Sequence, residues 1–262
     1  AGGLGNQIFQ LGACMLLAKA SGAKHIILNE SSLGSYKAKR DNEIPKFFDL
    51  TKSPFNIKFD NKFSFFTKLR LPRILPLKLT IWPFVTDKNF QIILRSKRKI
   101  VRFLDGYFQR CLSQSLFDKM CEMLSDMFIK RPSMNDQSIC AIHIRGGDLV
   151  QLGWNQVTPK SYYLEAIRIM TEYYGVKHYY VVTDDIEYAR NLIAGLRVSH
   201  EIISNDVVSD FYVIANIKKR ILSNSTFSLW ASALGDNVNS VVIAPKLLNV
   251  GAVRPFMLPN EI

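Results

Sequence analysis

No uninterrupted apolar run in the 262 residues approaches the ~18 to 20 that a membrane-spanning helix needs, and no basic-then-apolar secretory leader is expected. The expectation is a globular, soluble chain whose 48% hydrophobic content supplies an ordinary buried core. Cysteine is scarce: Cys14, Cys111, Cys121 and Cys140 are scattered, none in a C-x-x-C pair. That excludes a zinc knuckle or a disulfide framework and fits buried thiols in a reducing compartment. No Asp-x-Asp occurs either; Asp184 and Asp185 are adjacent, so at a strand end they diverge and chelate a cation poorly. Acidic residues are also few, 22 against 34 lysines and arginines, for a net charge of +12.

The basic excess is concentrated. Between Lys58 and Arg110 stand thirteen bases and three acids, interleaved with Phe63, Phe65, Phe66, Trp82 and Phe84. Two readings stay open for residues 58–110: contact with an anionic membrane surface, to which each base adds about 1 kcal/mol, or a solvated basic face over a core. Nucleic acid is not expected, because no recognised nucleic-acid module accompanies the charge.

What the chain does have is a run that ends in chemistry. Ile139 to Ile144 is apolar apart from His143 and is followed by Arg145-Gly146-Gly147-Asp148. It reads as a buried strand whose carboxyl end opens into a loop, where open α/β sheets place their ligands. Arg145 offers a planar fork of donors suited to phosphate, and the glycines allow close approach to the backbone. His143 and Arg145 are two apart and point to one side of the strand. Taken alone, the tetrapeptide also fits an ordinary turn with a surface salt bridge.

From Ser138 onward, strand and helix patterns alternate. Strands are expected at 139–145, 178–183, 201–203, 220–222 and 240–244. Helices are expected from Thr158-Pro159, over 186–194, 210–218 and 227–234. Such units give a parallel sheet with helices on both faces. Upstream, Gly2 to Asn6 is a glycine loop before a helix that Gly22 stops. His25 to Leu28 is a strand, 29–57 reads as loops and short helices, 101–108 as a strand, and 116–128 as a helix. The polar stretch around Pro132 marks a boundary between 1–132 and 133–262.

His-x-Arg-x-Gly-Asp after an apolar strand resembles the donor motif of fucosyltransferases that use GDP-fucose. Three further stretches resemble the α-1,2-fucosyltransferase family: Gly2-Gly3-Leu4-Gly5-Asn6-Gln7-Ile8-Phe9-Gln10, Gly106-Tyr107-Phe108-Gln109, and Ser223-Asn224-Ser225-Thr226-Phe227-Ser228. Thr183-Asp184-Asp185 stands where that family has Ser-Asp-Asp, and the ordered set spans nearly the whole chain. Two positions depart from the pattern: Gly146 replaces a second arginine, and Leu149 replaces an aromatic. The family normally has a short strand before the glycine loop, so the natural start is expected to precede Ala1.

The resemblance implies an α/β, GT-B-like fold of two Rossmann-like domains with a cleft between them. Residues 1–132 would be the acceptor side and 133–262 the GDP-sugar side. It implies a galactoside α-1,2-fucosyltransferase: inversion at the sugar, GDP-fucose as donor, a glycan acceptor, lipid-linked in one version, and a place in O-antigen synthesis. The enzyme would be cytoplasmic, or peripheral on the inner face of the cytoplasmic membrane. No metal or other cofactor is expected, since fixed positive charge and backbone donors can stabilise the leaving diphosphate.

Arg145 is the first candidate for the β-phosphate, with Asn224, Ser225, Thr226 and the amides at Phe227 as a second clamp. His143 is expected to orient the loop or touch the donor, unless it is simply a satisfied structural histidine. Asp184 and Asp210 are candidates for ribose or guanine contacts, or else helix caps. Asp148 is a donor-side candidate whose carboxylate, beside Arg145, would favour an ion pair over a base. On the acceptor side stand Gly3, Asn6 and Gln7. A transferase for another sugar nucleotide and a non-catalytic glycan- or nucleotide-binding module remain the alternatives.

Overall fold

The computed structural model describes residues 2–30, 41–60, 84–96 and 102–262, without the side chain of Asp148. Most of the basic stretch 58–110 lies outside the described residues, and the membrane-contact reading with it. The chain divides into two compact units, Ala1–Ile129 and Lys130–Ile262.

The second unit is built on a five-stranded parallel sheet. Its strands are β5 (Ile139–Ile144), β6 (His178–Thr183), β7 (Ser199–Ile203), β8 (Lys219–Ile221) and β9 (Val241–Ile243), in the spatial order β7-β6-β5-β8-β9. The chain winds outward from β5 through β6 to β7, then returns to β8 on the other side of β5. The topological switch point therefore lies between β5 and β8.

β5 is buried along its whole length, as its unbroken apolar run requires. Cys140, Ile142 and Ile144 face a core made with Tyr163, Ile167 and Met170 of helix α6 (Lys160–Tyr174) and Ala189, Leu192 and Ile193 of α7 (Ile186–Ile193). Ile139 and Ala141 face the other way, against Val213 of α8 (Val207–Asn216) and Ile217. By strand alternation His143 belongs to that second face, where its ring lies 5.7 Å from Phe227 of α9 (Thr226–Leu234).

Every sheet strand and long helix expected from the sequence in this unit is present within a few residues. A hairpin of β10 (Leu247–Asn249) and β11 (Ala252–Val253) was not foreseen. Nor was the short helix α5 (Gly147–Gln151), which replaces the expected loop after Arg145.

In the first unit, helix α1 (Leu4–Ser21) ends at Gly22 as its pattern predicts and packs against α4 (Gln114–Ser125). Among the described residues its strands form two parallel pairs, β1 (His25–Leu28) with β2 (Asn56–Phe59), and β3 (Phe84–Val85) with β4 (Phe103–Leu104). Two short α-helices, α2 (Ile44–Phe47) and α3 (Phe90–Leu94), and a 3₁₀ turn (Leu50–Lys52) complete the described part. The strand expected over 101–108 is only Phe103–Leu104, because the chain turns at Gly106 and Phe108 adopts a left-handed φ of 59°. Among the described residues no helix is long and apolar enough to cross a membrane.

Candidate active site

At the carboxyl end of β5, polar residues bond on one side to the loop after β6 and on the other, across the switch point where open α/β sheets bind ligands, to the loop after β8. Arg145, the first residue after β5, places Nη1 2.9 Å from Oδ2 of Asp184, which follows β6. The other carboxylate oxygen, Oδ1, accepts the Gly146 amide at 2.9 Å. Asp184 thus grips both the guanidinium and the backbone of the next residue, fixing the direction in which the fork projects. Both side chains remain partly exposed.

Gly146 and Gly147 make this wrap possible. A Cβ on Gly146 would lie 2.5 Å from Cβ of Asp185, and one on Gly147, whose φ is +40°, would lie 2.6 Å from Asp184 Oδ2. Asp185 caps α7, accepting the Tyr188 amide at 3.0 Å, while its own N–H donates to Thr183 Oγ1. Each carboxylate of the Asp184-Asp185 pair already has a job within the protein.

On the other side of the switch point, His143 is buried, and its Nδ1 lies 2.7 Å from Ser223 Oγ. Ser223 Oγ also accepts the Ser225 amide, and Tyr163 Oη donates to the His143 carbonyl. Burial, with the Arg145 charge as a second cause, pushes the imidazole pKa down to about 3. His143 is therefore neutral near neutral pH and acts as a fixed link between β5 and the loop after β8. Phe227 packs between His143 and Phe211, with centroids 5.7 and 5.5 Å away.

Ser225 caps α9, its Oγ accepting the Phe227 amide at 3.3 Å. Thr226 is the first residue of that helix, so its end carries the positive pole of the helix dipole. Asn224 is buried, and its Nδ2 donates to the carbonyls of Trp154 and Leu248. Its amide thus staples this loop to a 3₁₀ turn (Trp154–Val157) and to β10. Asp210, buried and with its pKa raised by that burial, accepts from the backbone and side-chain nitrogens of Asn205. The cap of α8 is Asp206, not Asp210. The backbone of Asp148 lies in α5, and its side chain is outside the described residues.

The acceptor-side candidates lie in the first unit. Gly3 precedes α1, its carbonyl accepting the Asn6 and Gln7 amides. Gln7 is buried and donates to the carbonyls of Gly2 and Asp41 while accepting the Glu43 amide. Asn6 accepts from Gln109 Nε2 at 2.7 Å, and Gln10 donates to the Gly106 carbonyl at 2.9 Å. The two sequence motifs of this unit are therefore one assembly. Asp87, which no sequence pattern marks, accepts the amides of Tyr107 and Phe108.

A guanidinium aimed by a carboxylate, a helix N-terminus across the gap, and glycines that admit a ligand to the backbone together suit a phosphate-bearing substrate. Comparisons with known proteins identify the relatives of the chain. The chain is 25% identical to the O-antigen biosynthesis glycosyltransferase WbnK of Escherichia coli, over 94% of this chain and 92% of that protein. It is 26% identical to an alpha-1,2-colitosyltransferase of Escherichia coli, over 94% and 89%. A crystal structure of POFUT1 in complex with GDP matches at 13% identity and a TM-score of 0.46, covering 88% of this chain and 92% of that one, too distant a likeness to carry an argument. The model of glycosyl transferase family 11 matches residues 2–252, the span that holds every motif described above, and the chain belongs to that family of glycosyltransferases.

Proposed function

We propose that this glycosyltransferase moves L-fucose, with inversion and without a metal ion, from GDP-fucose to the 2-hydroxyl of a galactose residue on a glycan of O-antigen synthesis. The observation that carries the reading is the placement of Arg145 at the switch point, held by Asp184 and linked through His143 and Ser223 to the N-terminal end of α9. In the transfer, the acceptor oxygen forms a bond to the anomeric carbon as the bond to the β-phosphate oxygen breaks. GDP leaves with the electron pair, and the hydroxyl proton is lost late, to the departing phosphate oxygen or to water. Arg145 and the α9 amides stabilise the charge that develops on the departing phosphate. The engagement of Asp184 with Arg145 and of Asp185 with α7 supports charge stabilisation by protein groups rather than by a carboxylate-held cation.

The name of the first relative supports an O-antigen role, and that of the second supports an α-1,2 linkage while favouring one specific rival: a donor sugar other than fucose. A lipid-linked acceptor at the inner membrane face accords with the thirteen bases against three acids between Lys58 and Arg110.

Calorimetric titration with GDP, UDP and CDP in EDTA, beside Arg145→Ala, tests the donor half. GDP binding that survives EDTA and disappears in Arg145→Ala is the expected result. UDP preference, or binding that needs a metal, overturns it. Turnover of GDP-fucose against a colitosyl donor, with β-galactosides as acceptors, then decides the sugar.

A further inference from the structure

Two turns at the carboxyl edge of the five-stranded sheet expose apolar side chains that turn formation does not require. After β5, Leu152 precedes Gly153, whose φ is +68°; after β9, Val250 precedes Gly251, whose φ is +79°. The left-handed positions need their glycines, but exposed turns otherwise favour Asn, Asp, Ser and Pro. Leu152 is 57% exposed and Val250 59%, and with them stand Val253 at 57%, Val150 at 38% and Trp154 at 37%.

The elements that carry these residues adjoin one another. The 3₁₀ turn that begins at Trp154 packs against α5 on one side and β10 on the other. The Asn224 amide nitrogen holds the carbonyls of Trp154 and Leu248 at 3.2 and 3.3 Å, so both turns are pinned to one point. In the hairpin, Leu248 is buried, and by strand alternation the paired Leu247 and Val253 take the outer face. The charge nearby has one sign. Past Asp148, residues 149–160 and 245–258 contain no Asp or Glu; Lys160 and Lys246 are exposed, while Arg254 is buried against Glu261.

We propose that Leu152, Trp154 and the tip of the β10–β11 hairpin form a docking surface for an anionic lipid bilayer. Apolar turn tips enter the head-group region, a tryptophan suits the boundary between water and hydrocarbon, and the lysines meet lipid phosphates. Five side chains on two turns fall well short of a protein partner's footprint, which takes about 20–30 residues a side. The surface is separate from the basic stretch 58–110, and it brings to the bilayer the same sheet edge that carries Arg145.

Trp154 reports on the contact directly. The chain has three tryptophans, Trp82, Trp154 and Trp230, and Trp230 is fully buried. In a Trp82→Phe background, vesicles of phosphatidylglycerol with phosphatidylcholine should shift the emission to the blue, and brominated lipid should quench it. Phosphatidylcholine alone should do neither. In flotation, Val250→Asp with Val253→Asp should weaken binding to the anionic vesicles about 100-fold, through lost apolar contact and two repelled charges. Its melting temperature and GDP affinity should match wild type. Leu152→Glu, on the other turn, should act in the same direction and decides the matter should the hairpin variant fail to fold. Anionic-vesicle binding that these variants leave unchanged, as the basic stretch alone would give, overturns the proposal. So does a wild type that binds no vesicle, or a dimer in sedimentation velocity that the hairpin variant abolishes without any vesicle binding, which would assign the surface to a second copy. Vesicle binding needs no nucleotide, so the result is independent of the donor reading.

Discussion

Asp184 serves Arg145 twice: one carboxylate oxygen pairs with the guanidinium at 2.9 Å, and the other takes the amide of the residue after it. On the proposed function, the arrangement makes Asp184 a positioning group for the arginine that would bind the phosphate. Asp184→Asn keeps the shape but loses the charge and at least one of these two bonds. It should lower kcat/KM for the GDP-sugar by about 10- to 100-fold, less than the ~10²- to 10³-fold expected for Arg145→Ala. Arg145→Lys should resemble Arg145→Ala more than wild type, since an ammonium cannot meet phosphate and Asp184 with one planar fork. Steady-state kinetics with GDP titrations on the four proteins check the ranking. Equal activity in Asp184→Asn and wild type would remove Asp184 from the site.

Gly146 stands where the family resemblance leads to the expectation of a second arginine, and the geometry leaves little room for one. With Asp185 Cβ 2.5 Å from where a side chain would begin, even Gly146→Ala must move the α7 cap. The expected cost is about 1–3 kcal/mol of stability, as for overpacking elsewhere. Gly146→Arg should therefore fail to add a useful phosphate ligand: it should melt lower than wild type and bind GDP no more tightly. Thermal unfolding and calorimetry on both variants test this. A stable, tighter-binding Gly146→Arg would show that the loop opens freely.

His143 makes stability depend on pH. Its folded pKa lies near 3, below the ~6.5 of an unfolded histidine, so between those values the unfolded chain binds a proton that the folded one does not. Its contribution is complete above about pH 6.5 and is lost as pH falls toward 3, at up to ~1.4 kcal/mol per pH unit. Between pH 7 and pH 5 this group alone should remove about 2 kcal/mol. Denaturant unfolding at the two pH values, on wild type and His143→Asn, isolates the effect: the asparagine variant should be less stable at pH 7 and lose less on acidification. A wild-type loss equal to that of His143→Asn would mean that the imidazole is not held neutral.

How far the sequence reaches can be seen at β5. An apolar run ending in His-x-Arg-x-Gly-Asp marked the strand, its burial and the polar residues at its carboxyl end, because a central parallel strand is apolar on both faces and leaves its polar groups to the loop beyond. The alternation that placed β6, α7 and α9 worked for the same reason. The strand expected over 101–108 is shorter, because periodicity does not register a left-handed Phe108 held by Asp87, 21 residues away. The same is true of Asn224. Its place in a motif marked it for the donor loop, yet the bonds of its amide run to Trp154 and Leu248, partners that only the fold supplies.

Arg220 is the strongest case of a residue whose role lies only in the packing. It sits on β8, fully buried, and its guanidinium donates to the carbonyls of Ile214, Ala215 and Ile217 at the end of α8, to Ser232 O in the last turn of α9, and to Asp236 O and Asn237 Oδ1 beyond it. Burial lowers its pKa only to about 10, so the charge stays and offsets the negative ends of two helices. Lysine has three donors on a point charge and cannot satisfy this ring of oxygens. Arg220→Lys should cost about 3–5 kcal/mol, the scale of breaking a buried charge network, read as a fall in the denaturant midpoint. α9 is nine residues long, roughly 13 Å, so the lesion lies a full helix length from Ser225 and Thr226. GDP affinity measured well below the melting transition should therefore stay within about twofold of wild type. A variant that stays folded but loses GDP would instead show that anchoring the far end of α9 sets the aim of its N-terminus at the donor.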